Sequence, residues 1–168
     1  MATDPLSDVL GEFARTMETD FPVQRILDHL VKQIVDIMPV TAAGVTVISQ
    51  DVQPRYVAAS DQSAMWYEKL QSELNEGPCL AAYHSGKAIA IPDLTRDDRY
   101  RWFTPQATAA GLAAVFTFPL NHENSSLGAL DLYRDSPGHL SEELMATAQT
   151  FADVAAAYLI KVIGDQPA

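Results

Sequence analysis

Hydrophobic residues recur at helical spacing at both ends of the chain. Over residues 5–18 the apolar side chains lie three and four positions apart, and Asp4 and Pro5 are suited to the start of that helix. Residues 22–38 carry apolar side chains around more than one face, which predicts a second helix that contacts both a sheet and a further helix or subunit. Another apolar stripe follows Ser141, which predicts a final helix capped by that serine.

Four shorter segments in the middle of the chain are rich in β-branched and apolar residues and predict strands. These segments are residues 42–49, 55–59, 112–120 and 127–133. A polar turn separates the members of each successive pair, so we expect two antiparallel hairpins. Central strands with helices at both ends indicate an α+β fold, in which an antiparallel sheet carries the terminal helices on one face.

A long excursion separates the two predicted hairpins. It begins with a predicted helix over residues 62–74, whose inward-facing side chains are expected to be Trp66, Leu70 and Leu74. Pro78 is suited to the first turn of a second, short helix and Gly86 to its end, and residues 87–91 predict a short strand. An excursion of this kind, placed over the other face of the sheet, is suited to enclosing a small molecule.

The charge balance narrows the class of partner. Lys and Arg total 11 against 22 Asp and Glu, which gives a net charge of −11. That charge repels phosphate backbones and anionic membranes, so we expect no nucleic-acid or membrane binding by this chain. The only cysteine, Cys79, excludes an intrachain disulfide, and no apolar run approaches the ~20 residues that span a bilayer. Because the N-terminus also lacks a signal-peptide pattern, we expect a cytoplasmic single domain over residues 1–168.

Several short motifs and their order resemble the GAF domain family. They are Glu76-Gly77-Pro78-Cys79, Ile91-Pro92-Asp93-Leu94, Phe118-Pro119-Leu120 and Leu127-Gly128-Ala129-Leu130-Asp131-Leu132-Tyr133, before a closing alanine-rich helix. The resemblance covers a core of about residues 20–162 and is greatest to the GAF domains that precede ANTAR-type RNA-binding output domains in bacterial regulators. It implies a sheet of five or six strands, terminal helices on one face that often form a dimer bundle, and a small-molecule pocket on the other. The ANTAR part is absent, so the chain is either a stand-alone sensor or part of a longer protein.

The same resemblance identifies cofactor signatures that this chain lacks. Phytochrome-like GAF domains carry bilin on a cysteine followed by histidine, whereas Cys79 precedes Leu80, and haem-binding relatives use a histidine where this chain has residues 103–107. The Asn-Lys-Phe-Asp-Glu signature of cyclic-nucleotide-binding GAF domains is missing, and GAF-fold methionine-sulfoxide reductases use several cysteines. The histidines, which have no metal-ligand spacing, are His29, His84, His122 and His139. The sequence therefore carries no haem, bilin or metal signature, we expect no metal or catalytic site, and the identity of any cofactor stays open.

Strand alternation selects the residues expected to face a ligand. Asp131 and Tyr133 share the face opposite the leucines of their strand, and Thr117 offers a hydroxyl from the preceding strand. A buried carboxylate needs a partner, which could be Arg99 or Arg101 with Trp102, or a cationic ligand. Alternatively, Asp131 pairs internally and the cavity is simply packed. The candidate ligand-binding residues are Cys79, Tyr83, Trp102, Thr117, Asp131 and Tyr133.

These observations favour a non-catalytic sensor domain in bacterial signal transduction or transcription control. A small molecule would bind between the sheet and the excursion over residues 75–111, and the terminal helices, through their spare apolar surface, would form a homodimer that passes the signal on. Two alternatives remain open. The domain could be an interaction module without a pocket, or a thiol-based redox sensor or enzyme in which a helix N-terminus lowers the pKa of Cys79, against the interpretation of Cys79 as a small buried hydrophobe.

Overall fold

The computed structural model describes residues 23–49 and 52–164, and within them the α+β prediction is confirmed. In chain order the elements are α1 (Val23–Ile37), β1 (Ala42–Ser49), β2 (Val52–Ala59), α2 (Gln62–Leu74), α3 (Pro78–Ser85), β3 (Ile89–Ile91), α4 (Phe103–Ala109), β4 (Ala114–His122), β5 (Ser125–Arg134) and α5 (Glu142–Gly164). A 3₁₀ turn, Leu94–Arg96, lies between β3 and α4. The predicted N-terminal helix over residues 5–18 lies outside the described residues. No helix in the described ranges is both long and apolar enough to cross a membrane.

The strands form one five-stranded antiparallel sheet in the order β2-β1-β5-β4-β3. The central strand β5 places Asp131 opposite Gly44 on β1 and opposite Thr117 on β4. Residues directly opposite each other in antiparallel strands project to the same face. Gly44, Asp131 and Thr117 therefore form a row across the middle of one face.

The helices divide between the two faces as expected. Helices α1 and α5 pack on one face, where alternate strand residues such as Phe116, Phe118, Leu130 and Leu132 join the buried core. Helices α2 and α3 pack on the opposite face, the one that carries Asp131. The alternation predicted for residues 129–133 is confirmed, because Leu130 and Leu132 join the core against the terminal helices, whereas Ala129 and Tyr133 pack in clusters on the other face, with Asp131.

Local sequence signals place the start and end of α3. Gly77 precedes the helix at φ 141°, a conformation that favours glycine, and Pro78 occupies its first turn. Gly86 ends the helix in the left-handed conformation at φ 70°. At β4 the expectation was different, since the strand was predicted to stop near Pro119. It continues to His122 through a register irregularity between Pro119 and Asn121, which accommodates a proline that cannot donate a hydrogen bond.

The predicted inward face of α2 was wrong in one respect. Trp66 is 44% exposed, whereas Leu70 is buried and Leu74 is half-buried. The face against the sheet carries Ala64, Tyr67, Glu68 and Gln71, which follow the i, i+3, i+4, i+7 spacing of a helix. Counting apolar residues missed this face because two of its members are polar.

Candidate functional site

Two carboxyl groups are buried together on the face of the sheet beneath α2 and α3. Glu68 and Asp131 are both 0% exposed. The Thr46 hydroxyl donates to Glu68 Oε2 at 2.5 Å, and the Thr117 hydroxyl donates to Asp131 Oδ1 at 2.8 Å. The other two oxygens, Glu68 Oε1 and Asp131 Oδ2, are buried and meet no protein donor in hydrogen-bond geometry among the described residues, apart from a proton that the two carboxyls can share. Each carboxyl is therefore half satisfied, through a threonine.

A missing side chain on β1 makes room for Glu68. A Cβ atom added to Gly44 would collide with Glu68 Oε1. Gly44 lies opposite Asp131 in the register of the sheet, so the Glu68 carboxyl rests on the strand next to the one that carries Asp131. The glycine thus allows an acid from α2 to reach the sheet surface beside the acid of β5.

The protonation of the pair follows from its surroundings. Burial raises the pKa of Glu68 well above its usual value, and the Asp131 charge and a hydrogen bond with Asp131 raise it further. Burial also raises the pKa of Asp131, to about 6, against the lowering effect of hydrogen bonds with Glu68 and Thr117. Two carboxyls can hydrogen-bond only if one carries a proton, and these directions assign that proton to Glu68. At neutral pH the pair therefore holds one proton and one negative charge.

Gln71 connects the sheet to the first turn of α3. Its Nε2 donates to the Tyr133 hydroxyl at 3.0 Å, and its Oε1 accepts from the backbone N–H of Cys79 at 3.1 Å. A Cβ atom at Gly77 would collide with the Gln71 side chain, so the chain passes close over it. The Tyr133 ring also packs at 4.9 Å from the Tyr67 ring, between centroids. The beginning of α3 is thereby held to β5 through one amide.

The surroundings of Cys79 oppose a reactive thiol. Its side chain is 0% exposed and packs with Ile48 and Ala129. Burial, followed by the charges of Asp131 and Glu68, raises the pKa of the Cys79 thiol well above its usual value. Burial and nearby negative charge therefore outweigh the helix N-terminus that motivated the redox hypothesis, and favour the interpretation of Cys79 as a small buried hydrophobe.

The structure brings together four of the six candidate ligand residues. Cys79, Thr117, Asp131 and Tyr133 are all buried around the carboxyl pair. Tyr83 is half-buried at the edge of this region, where it helps to line a surface depression of about 350 Å³. Trp102 is 57% exposed and has no contact with the pair among the interactions described.

The cations considered as partners for Asp131 lie elsewhere. Arg99 pairs with Asp97 at 2.5 Å, and Arg101 lies over the Trp102 ring at 5.0 Å from its centroid. Neither arginine pairs with Asp131, because both are engaged at the surface. The alternative that Asp131 pairs internally is the one observed, since it hydrogen-bonds with Thr117 and Glu68.

Three polar residues of the site were missed by sequence reasoning. They are Thr46, Glu68 and Gln71. The helical spacing of Ala64, Tyr67, Glu68 and Gln71 could have found two of them, had inward positions been assigned without regard to polarity. Within the described residues, no group of three or more His, Cys, Asp or Glu side chains is arranged to hold a metal ion.

The fold and this site define a GAF domain. The family profile described as GAF domain matches residues 22–159, and the chain belongs to that family. No curated protein sequence shows significant similarity to it. GAF domains are commonly sensory or regulatory parts of signalling proteins.

Solved structures show the same fold at low sequence identity. The GAF domain of the Acinetobacter phosphoenolpyruvate-protein phosphotransferase is 12% identical, with a TM-score of 0.76 and 99% of each chain covered. The GAF domain of the corresponding Coxiella burnetii protein is 17% identical, with a TM-score of 0.75, and the match covers 96% of this chain and 98% of that one. The type II free methionine-R-sulfoxide reductase from Thermoplasma acidophilum is 15% identical, with a TM-score of 0.67, and the match covers 83% and 93%. At these identities the likeness establishes the fold alone, and the expected closeness to ANTAR-associated GAF domains stays a prediction.

Proposed function

We propose that this GAF domain is a non-catalytic regulatory sensor that binds a small molecule between the sheet and the α2–α3 layer. The observation that carries the proposal is the buried acid pair, in which Glu68 Oε1 and Asp131 Oδ2 meet no protein donor in hydrogen-bond geometry among the described residues apart from the one proton that the two carboxyls share. A buried polar atom without a partner costs about 1–3 kcal/mol, more when it is charged. Proteins keep such costs mainly at functional sites, where a ligand supplies what the protein does not.

The position of the pair suggests how binding would be transmitted. Strands β4 and β5 carry Thr117 and Asp131 on one face, and Phe118 and Leu130 on the face that packs against α5. A ligand that shifts these strands would therefore act on the packing of the terminal helices. Transmission requires that the ligand prefers one arrangement of those helices over another. We propose that this occurs in a cytoplasmic homodimer joined through the terminal helices, as part of bacterial signal transduction or transcription control.

Differential scanning fluorimetry against a metabolite panel of all charge types tests ligand binding, and native mass spectrometry of freshly purified protein detects a co-purifying ligand. We expect at least one compound to raise the melting temperature of the wild type and of Trp102→Ala equally, because Trp102 is exposed and outside the pair. If no compound of any charge type shifts the melting temperature, and no ligand co-purifies, the sensor proposal is wrong.

One observation favours a second candidate, an interaction module that binds no ligand. The side chains of Glu68, Gln71 and Tyr133 are fully or almost fully buried, so they fill the face on which a ligand would lie. Analytical ultracentrifugation separates the candidates when combined with the panel. A stable dimer that responds to no compound supports the interaction module, and a strict monomer at micromolar concentration contradicts the dimer in both.

A further inference from the structure

We infer that the ligand of this site carries a protonated nitrogen with N–H donors, an ammonium or guanidinium group, that replaces the proton held between Glu68 and Asp131. This inference rests on the proposed sensor function and specifies the class of ligand. It follows from the donor count at the pair, the charge around it and the walls of the site.

The donor count comes first. Thr46 and Thr117 each use their hydroxyl proton on one carboxyl oxygen, at 2.5 and 2.8 Å. The remaining oxygens of Glu68 and Asp131 can only accept, apart from the single proton that they share, and the Tyr133 hydroxyl also hydrogen-bonds to Glu68. An occupant that satisfies both oxygens at once must bring at least two donors on one small group. Ammonium and guanidinium groups do so, as water and a neutral amide do, whereas a carboxylate brings none, so the charge of the site decides among these donors.

The charge points the same way. The ion pairs among the described residues are Asp93 with Arg96, Asp97 with Arg99, and His122 with Glu123, so none of them includes the buried carboxyls. A buried carboxylate is costly unless a cation pairs with it. The titratable groups around the pair are Tyr67 on α2, Cys79 on α3 and Tyr133 on β5, and burial raises the pKa of each, so each is neutral at pH 7. The whole chain, with a net charge of −11, also attracts cations.

The walls of the site favour an organic cation over a metal ion. Two aromatic rings, Tyr67 and Tyr133, pack at 4.9 Å beside the acids, and aromatic faces attract ammonium and guanidinium groups. A metal ion would need more ligands than the two carboxyls supply, and no group of three or more His, Cys, Asp or Glu side chains among the described residues is suited to a metal.

The exchange has a defined proton balance. In the ligand-free site Glu68 is protonated and Asp131 is ionised. When the cation binds, Glu68 releases its proton to solvent, both carboxylates are ionised, and the ligand keeps its own charge. Because one proton leaves as one cation binds, the affinity should rise about tenfold per pH unit above pH 6 while Glu68 of the free protein stays protonated. Entry requires the first turn of α3 to move, and Gln71 is the side chain that holds it.

The test uses isothermal titration calorimetry on the full chain with the chloride salts of ethylammonium, putrescine, methylguanidinium and agmatine. Tetramethylammonium is the matched probe, because it carries the same charge as ethylammonium without an N–H donor. Titrations in phosphate and in HEPES give the number of protons released, and both buffers lack the primary amine of Tris. We expect at least one N–H cation to bind with release of about one proton, and tetramethylammonium to give no signal.

Matched variants locate the binding. Glu68→Gln keeps the shape of the side chain and can still donate to Asp131, but it cannot become negative. We expect it to lose at least about tenfold in affinity and to release no proton on binding. Asp131→Asn should lose binding as well, whereas Glu73→Gln, an exposed change on the same helix, should bind like the wild type.

The outcomes separate the class of ligand from the sensor function. If neutral or anionic compounds of the metabolite panel bind and Glu68→Gln binds them equally well, the sensor stands and the cationic class is wrong. If no N–H cation binds at millimolar concentration, or binding is the same in both carboxyl variants, this inference is also wrong. Failure of every compound in the panel, whatever its charge, overturns the sensor proposal itself.

Discussion

The two faces of the sheet are built from the same strands but have opposite chemistry. Among the residues that the structure describes, the face against α1 and α5 buries hydrophobic side chains, with Phe116, Phe118, Leu130 and Leu132 from the two central strands. The opposite face, against α2 and α3, carries all five buried polar or charged residues that the structure describes. They are Thr46, Glu68, Gln71, Thr117 and Asp131. Neighbouring residues on one strand, such as Thr117 and Phe118, therefore serve different purposes.

The apolar face therefore contributes mainly to the stability of the fold, and the polar face carries the groups that can bind protons or a ligand. An apolar face stabilises the fold without regard to pH or ligands, because its contribution depends on buried area. A face with a buried acid pair contributes less to the free energy of unfolding, and its contribution depends on pH and on any bound ligand. Substitutions on the two faces should therefore fail in different ways.

The largest effect is expected on the apolar face. Phe118→Ala removes a fully buried ring and should lower the free energy of unfolding by about 3–5 kcal/mol. Urea unfolding followed by circular dichroism measures the loss. The matched variant on the polar face is at the preceding residue, Thr117→Val, which removes the donor to Asp131 and should cost about 1–3 kcal/mol. Equal losses in the two variants would remove the distinction between the faces.

A smaller effect, dependent on pH, is expected at Glu68. The folded-state pKa of Glu68 is raised, so its contribution to stability is present below its ordinary pKa and is lost as the pH rises toward the folded value. The wild type should lose about 1.4 kcal/mol per pH unit over that range from this residue alone. Glu68→Gln should remove that slope, so that it is the more stable protein at about pH 8. Urea midpoints at several pH values above pH 6, where Asp131 no longer contributes a slope, check this. A slope that survives there in Glu68→Gln would contradict the assignment of the proton.

The smallest effect is expected at the connection between the sheet and α3. Gln71→Ala leaves the Tyr133 hydroxyl and the Cys79 N–H without a partner, and should cost about 1–2 kcal/mol. Its more specific effect is on Cys79, which in the wild type should react with a thiol reagent at least about tenfold more slowly than in the unfolded chain. Labelling kinetics should show faster reaction in Gln71→Ala, because the first turn of α3 opens more readily. Fast labelling of Cys79 in the wild type would instead support the alternative that the domain is a thiol-based redox sensor.

The sequence was sufficient for the fold because the strand pattern is strict. Alternation along residues 127–133 separated the leucines from Asp131, and the breakers Gly77, Pro78 and Gly86 bounded α3 as the structure has it. These signals are local: each depends on a few neighbouring side chains and on backbone preferences, which a single sequence displays.

The site was predicted only in part, because its decisive contact joins distant residues. Asp131 was identified from its strand, but Glu68 is 63 positions away on a helix and was not expected to be buried. An acid in a helix reads as solvent-facing unless something on the opposite element makes room for it. Here Gly44 leaves the space that the Glu68 carboxyl occupies. The sequence alone does not show this role, because it depends on the packing of α2 over β1.

The absence of a side chain at position 44 also constrains how this sequence can diverge. Any larger residue there collides with the carboxyl of Glu68, so in related chains a side chain at 44 should occur with a shorter residue at 68. The two positions should therefore vary as a pair. A related chain without the glycine at position 44 should also lack the acid at position 68. Such a chain should lose the buried proton-binding pair as a whole.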